Sequence, residues 1–136
     1  MNTDKVSAGV ALIPISFGEL ADKLSILVIK NERIKDEVKL LNVRKELAQL
    51  SQLKDSHGLA GPQFEQLYAA LKTVNEALWE TEDDIRECER RKEFGARFIE
   101  LARSIYRTND QRARLKGDIN ALFKSAFAEV KSYADY

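Results

Sequence analysis

A chain of 136 residues with 22 basic and 22 acidic side chains carries no formal net charge, so no global field draws it to nucleic acid or to an anionic membrane. Charged residues make up 32% of it and aromatic residues 8%, with only two prolines, a balance that suits helices laced with ion pairs better than a sheet sandwich. The single Cys88 excludes an internal disulfide and a cysteine-rich zinc site, and with no secretory leader and no apolar run of membrane-spanning length the expected address is the cytoplasm.

The expected fold is one all-α domain: an antiparallel bundle of three or four long helices with an extended N-terminal arm over residues 1–15 and a packed C-terminal tail over residues 125–136. In the arm, the apolar run Val10 to Ile15 contains Pro14, which holds Ile13 away from helical angles. Such an arm either covers its own core or meets a second copy in a homodimer.

Ser16 and Glu19 have capping-box spacing and open the first helix, Ser16 to Ile34. At about 100° per residue, Leu20, Leu24, Leu27, Val28 and Ile34 share one arc, and Asp22, Lys23, Lys30 and Arg33 share the opposite one. Ile26 and Ile29 lie among those charges. A helix side that meets only water does not need two isoleucines, so this arc is expected to face protein or ligand as well.

Asp36 caps a second helix, to about Leu53, whose seam is Leu40, Val43, Leu47 and Leu50. A loop follows, Asp55 to Gly61, containing the only histidine, His57, read as a turn residue. Pro62 stands at the first position of a third helix. No glycine or proline interrupts the chain from Pro62 to Phe94, enough for a helix of about 45 Å at about 1.5 Å per residue. Its stripe is Phe64, Leu67, Tyr68, Leu71, Val74, Leu78 and Ile85, and Asn75, Glu82 and Glu89 fall on the same stripe.

Phe94-Gly95 is the expected stop. A fourth helix, Ala96 to Lys124, starts with Phe98, Leu101 and Ile105 and resumes with Ile119 and Phe123. Asn109, Arg112 and Lys116 occupy the same face between them. Thr108 and Gln111 also fit a capping box, so a break near Thr108 is the alternative to one continuous helix. Phe127, Val130, Tyr133 and Tyr136 are expected to pack the tail onto the bundle.

Each long helix thus carries charge where packing alone would prefer apolar side chains, and an unpaired buried charge costs several kcal/mol. Convergence of these groups joins Lys23, Lys30, Arg33, Asn109, Arg112 and Lys116 with Asp22, Glu82, Glu89 and Asp110. Two readings follow. In the first, the cluster holds a small anionic molecule, with Arg33 and Arg112 as forks for phosphate or carboxylate and Glu82 as the candidate general acid or base. In the second, the same charges form an internal salt-bridge network in a structural or interaction module. No cofactor is implied. Glu80, Asp83 and Glu87 have the spacing of helical magnesium ligands but lack a facing acidic cluster, so no metal site is expected. Cys88 has no activating neighbour, and basic and aromatic residues form no stripe suited to nucleic acid.

The runs Ser16-Phe17-Gly18-Glu19, Asp22-Lys23, Ile29-Lys30 and Glu32-Arg33-Ile34 resemble the opening of a family of short bacterial proteins known only as a domain of unknown function. Asn42-Val43-Arg44-Lys45-Glu46-Leu47, Leu78-Trp79, Glu82-Asp83, Tyr106, Asn109-Asp110, Arg112-Ala113, Lys116 and Lys131-Ser132-Tyr133 continue the likeness. The resemblance implies no reaction, cofactor or partner. Its motifs do include most of the polar positions reached by periodicity.

Overall fold

The computed structural model describes residues 9–136; the first eight residues of the expected arm lie outside them. Four helices follow in order: α1 (Phe17–Arg33), α2 (Glu37–Ser56), α3 (Pro62–Arg91) and α4 (Ala96–Leu122), with no strand among the described residues. The chain is an all-α bundle. Helix α1 is its hub: it packs against each of the other three, α3 and α4 pair along one another, and the backbone of α2 runs beside α1 alone.

The start of α1 shows how the hub is anchored. Ser16 Oγ accepts the amide of Glu19 at 3.0 Å. The reciprocal half of the capping box does not form, because the Glu19 carboxylate is drawn instead to Lys116 at 2.7 Å. Two more amides of the first turn are capped from the far end of the chain: Gly18 donates to Asn120 Oδ1 at 2.6 Å and Phe17 to Ser125 Oγ at 3.2 Å. Side chains thus satisfy three donors that a helix start leaves without partners. Gly18 is required for this approach, since a Cβ there would collide with the carbonyl oxygen of Lys116 and lie 2.9 Å from Asn120 Oδ1.

Asp36 caps α2 as expected, accepting the amide of Lys39 at 3.0 Å. Helix α3 ends earlier than the glycine suggests. Lys92, at φ 58°, closes it with the amides of Lys92 and Glu93 bonded to the carbonyls of Glu89 and Cys88, whereas Gly95 stands at the start of α4. Lys124 repeats the device at the end of α4, where the amide of Ser125 meets the carbonyl of Asn120 at 2.8 Å. That turn aims the Ser125 hydroxyl at α1. Helix α4 runs unbroken through Thr108.

The core comprises Leu20, Ala21 and Leu24 of α1, Leu59 of the loop, Phe64 and Leu71 of α3, and Ile119 of α4. Phe64 stacks on Tyr68 and meets Phe123 edge-on, both at 5.7 Å. Leu40 and Val43 carry the buried part of the α2 seam. Burial on α1 extends beyond the leucine arc to Asp22, Ser25 and Ile29, so the hub is enclosed on two sides.

Both termini depart from expectation. Ile15 packs against the core, yet Val10, Leu12 and Ile13 are exposed. In the tail Phe127, Val130 and Tyr133 are exposed as well; the segment is fastened by polar contacts through Ser125, Glu129 and Tyr136, and of the four expected residues Tyr136 does pack on the bundle, its ring 5.2 Å from that of Tyr106.

Candidate functional site

Asp22 lies at the centre of the bundle with its side chain 1% exposed. Its carboxylate accepts Nε of Arg112 at 2.9 Å on one oxygen and Nη2 at 2.5 Å on the other. The Asn75 amide adds a bond of 2.9 Å to Asp22 and another of 2.8 Å to Ser25 Oγ, whose hydroxyl donates back to the Asp22 carbonyl. One turn further along α4, Lys116 Nζ sits 2.7 Å from Glu19, 2.9 Å from Glu129 of the tail and 3.9 Å from Asp22. Three helices and the tail meet in this knot.

Its electrostatics follow from those partners. The hydrogen bonds to Asp22 outweigh burial and raise the Arg112 guanidinium above its ordinary range. Burial alone would lower the Lys116 ammonium; Glu19, Glu129 and Asp22 together reverse that and raise it. Lys116 in turn holds the Glu129 carboxyl below the usual glutamate value. Arg112, Lys116 and Glu129 are thus charged near neutrality.

The knot is closed on its acidic side and open on its basic side. The Arg112 side chain is 29% exposed. Every buried side-chain nitrogen or oxygen has a hydrogen-bond partner among the described residues, and the Arg112 bonds run through Nε and Nη2. Nη1 therefore faces solvent. Arg112 and Asn109 line two clefts: one of about 510 Å³ between α1, α3 and α4, walled also by Ile26, Trp79 and Glu82, and one of about 1010 Å³ between α4 and the tail, walled also by Tyr106, Tyr133 and Tyr136.

The sequence-derived cluster only partly assembles. Asp22, Arg112 and Lys116 converge, with Asn109 and Glu82 on the cleft walls beside them. Glu82 pairs with Arg86 one turn along α3. Asp110 faces the tail, accepting the Tyr136 hydroxyl at 2.5 Å. Arg33 does not join Arg112: it pairs with Glu76 at 3.6 Å and Glu80 at 3.3 Å, beside a Lys72 to Glu32 pair at 3.0 Å. Because α1 has only 17 residues and Arg33 is its last, a residue 11 positions beyond Asp22 is carried about 16 Å along the axis. Lys23 points outward beside Glu19 at 3.9 Å, Lys30 pairs with none of these groups, and Glu89 is exposed on the far part of α3.

Four participants lay outside that cluster. Ser25 is three residues from Asp22 on the same helix face, a spacing that places it there. Asn75 interrupts the α3 stripe but was not joined to the charges. Glu19 read as a cap, and nothing in the tail marks Glu129, because no periodicity links a non-helical segment to a helix. Among the described residues, no group of three or more His, Cys, Asp or Glu side chains is arranged to hold a metal ion, and no helix is long and apolar enough to cross a membrane.

A family model described as a family of unknown function, DUF6165, matches residues 11–135. The chain belongs to that family. The match spans all four helices and the tail and bears out the resemblance to a family whose function is unassigned. No curated protein and no solved structure matches the chain.

Proposed function

We propose that this protein binds a small molecule carrying a phosphate or carboxylate at the outer edge of Arg112, with Asn109 beside it and Glu82 on the facing wall as the candidate general acid or base. The observation that carries the reading is the posture of Arg112. A buried carboxylate grips two of its nitrogens and leaves the third unengaged, on a side chain that lines two clefts. A guanidinium fixed in this way loses little further freedom on meeting an anion and offers it a directed donor. Trp79 and Tyr106, on the walls of the two clefts, supply apolar surface for the rest of such a molecule.

The second reading is a structural or interaction module in which the knot only holds the helices together. The completeness of the pairing around Asp22 and Lys116 favours it. Loss of stability in Arg112→Ala does not separate the two, since either reading leaves Asp22 stranded. Asn109→Ala does, because Asn109 walls both clefts and is not among the groups bonded to Asp22. A thermal-shift screen with pyrophosphate, nucleotides and sugar phosphates tests the proposal: a ligand of the native state raises the melting point. The rise is expected in the natural protein and is lost in Asn109→Ala. A flat response across the panel favours the module.

A further inference from the structure

Beyond Lys116, the last turns of α4 and the tail enclose a third cleft, of about 560 Å³, whose wall carries Lys116, Lys124 and Lys131. Ala113, Gly117, Ala121 and Ala128 leave it room, and Asn120 and Ser125 supply polar groups. Among the described residues, the only acidic one lining it is Glu129. Its carboxylate stands 2.9 Å from Lys116 and 3.7 Å from Lys131, 43% exposed, on a segment without helical structure. Around Lys116 the carboxylates Glu19, Asp22 and Glu129 meet the cations Lys116 and Arg112, with Lys23 at 3.9 Å from Glu19 and Lys131 at 3.7 Å from Glu129, and of the three acids Glu129 alone stands outside α1. It is also the partner held least firmly, since the other two are on α1 and more buried.

We propose that this lysine cleft is a subsite for a phosphate group and that Glu129 is its built-in occupant, so that an incoming phosphate displaces Glu129 and releases the tail. The inference goes beyond the Arg112 reading: it adds a separate anion subsite one turn along α4 and names the segment that moves. A phosphate brings more negative charge and more acceptor oxygens than one carboxylate, and three ammonium groups on two sides of a cleft match it better. Release of Glu129 unfastens the tail between Ser125 and Tyr136, and the exposed Phe127 and Tyr133 report this as sites of chymotryptic cleavage.

Titration of the full chain with pyrophosphate at fixed ionic strength, by calorimetry and by chymotrypsin sensitivity of the tail, tests the proposal. Glu129→Gln is expected to bind on the order of tenfold more tightly, the equivalent of one charge-assisted hydrogen bond no longer competing. Lys124→Gln, which leaves the Lys116 contacts in place, is expected to bind more weakly, and Glu37→Gln on distant α2 controls for the change in net charge. Pyrophosphate should raise tail cleavage in the natural protein and add little in Glu129→Gln. Equal affinity in natural protein, Glu129→Gln and Lys124→Gln, with tail cleavage unchanged, overturns the inference. If binding is then still lost in Asn109→Ala, the Arg112 reading survives alone. Absence of binding in every variant overturns the inference, and a flat response of the natural protein to the wider panel overturns the Arg112 reading as well.

Discussion

Helix α1 makes ionic contacts at both ends, and the two sets differ in what surrounds them. At Asp22 the carboxylate is buried, receives a two-pronged guanidinium and an amide, and borders Lys116. At Arg33, itself about as exposed as Arg112, the partners are the half-buried Glu76 and the exposed Glu80 at longer range, and the nearby Lys72 to Glu32 pair is likewise open to water. Formal charges are similar. Water decides their weight: an exposed pair is screened and contributes at most about 1 kcal/mol, whereas removing one member of a buried pair strands the other at about 3–5 kcal/mol.

The sharpest way to break this contrast is to delete the cation at each end. Arg112→Leu should lose about 3–5 kcal/mol in urea unfolding, and Arg33→Leu less than about 1 kcal/mol. Combining Arg112→Leu with Asp22→Leu should recover part of that loss, because no buried charge is left unpaired. Equal effects at both ends would contradict the comparison. Next in size is Gly18→Ala, expected to cost about 1–3 kcal/mol as its Cβ drives α1 away from the Lys116 carbonyl; the loss should be accompanied by faster amide exchange at Phe17 and Gly18. Smaller still, Lys92→Gly should stabilise by about 0.5–1 kcal/mol, since glycine relieves the left-handed backbone that closes α3.

Acidity probes the tail side of the knot. Glu129 titrates below its ordinary 4.5, so its contribution is present above that value and is lost as the pH falls through the lowered folded value. Lys116 titrates above its ordinary 10.5, so its contribution is present below that value and is lost as the pH rises through the raised folded value. The Ser125 amide, bonded to the Asn120 carbonyl at the root of the tail, should therefore exchange slowly, relative to its intrinsic rate, between these limits and faster beyond both. Acceleration centred near pH 7 would contradict the assignment of the latch to Glu129 and Lys116.

Much of the architecture was legible in the sequence because helices are periodic. The leucines of α1, the seam of α2 and the cap at Asp36 follow from spacing alone, and the isoleucines between the charges correctly signalled that α1 is enclosed on two sides. Spacing also identified Asp22, Arg112 and Lys116 as polar groups on packing faces. It could not measure how far along the bundle each group lies. Arg33 shares an arc with Asp22 but sits three turns away, and Glu89 extends the α3 stripe past the point where α1 still covers it. Leu59 and Glu129 belong to segments without a period, so their burial and pairing appear only in three dimensions. The half-formed capping box has a similar cause: a local partner for Glu19 lost to Lys116, distant in sequence and near in space.

Whether the basic edge of this knot receives an anion is read from the melting temperature of the natural protein and of Asn109→Ala with and without a panel of phosphate-bearing ligands. Equal melting points without ligand and a rise confined to the natural protein are expected. A flat response, or the same rise in both, would contradict anion binding at this edge.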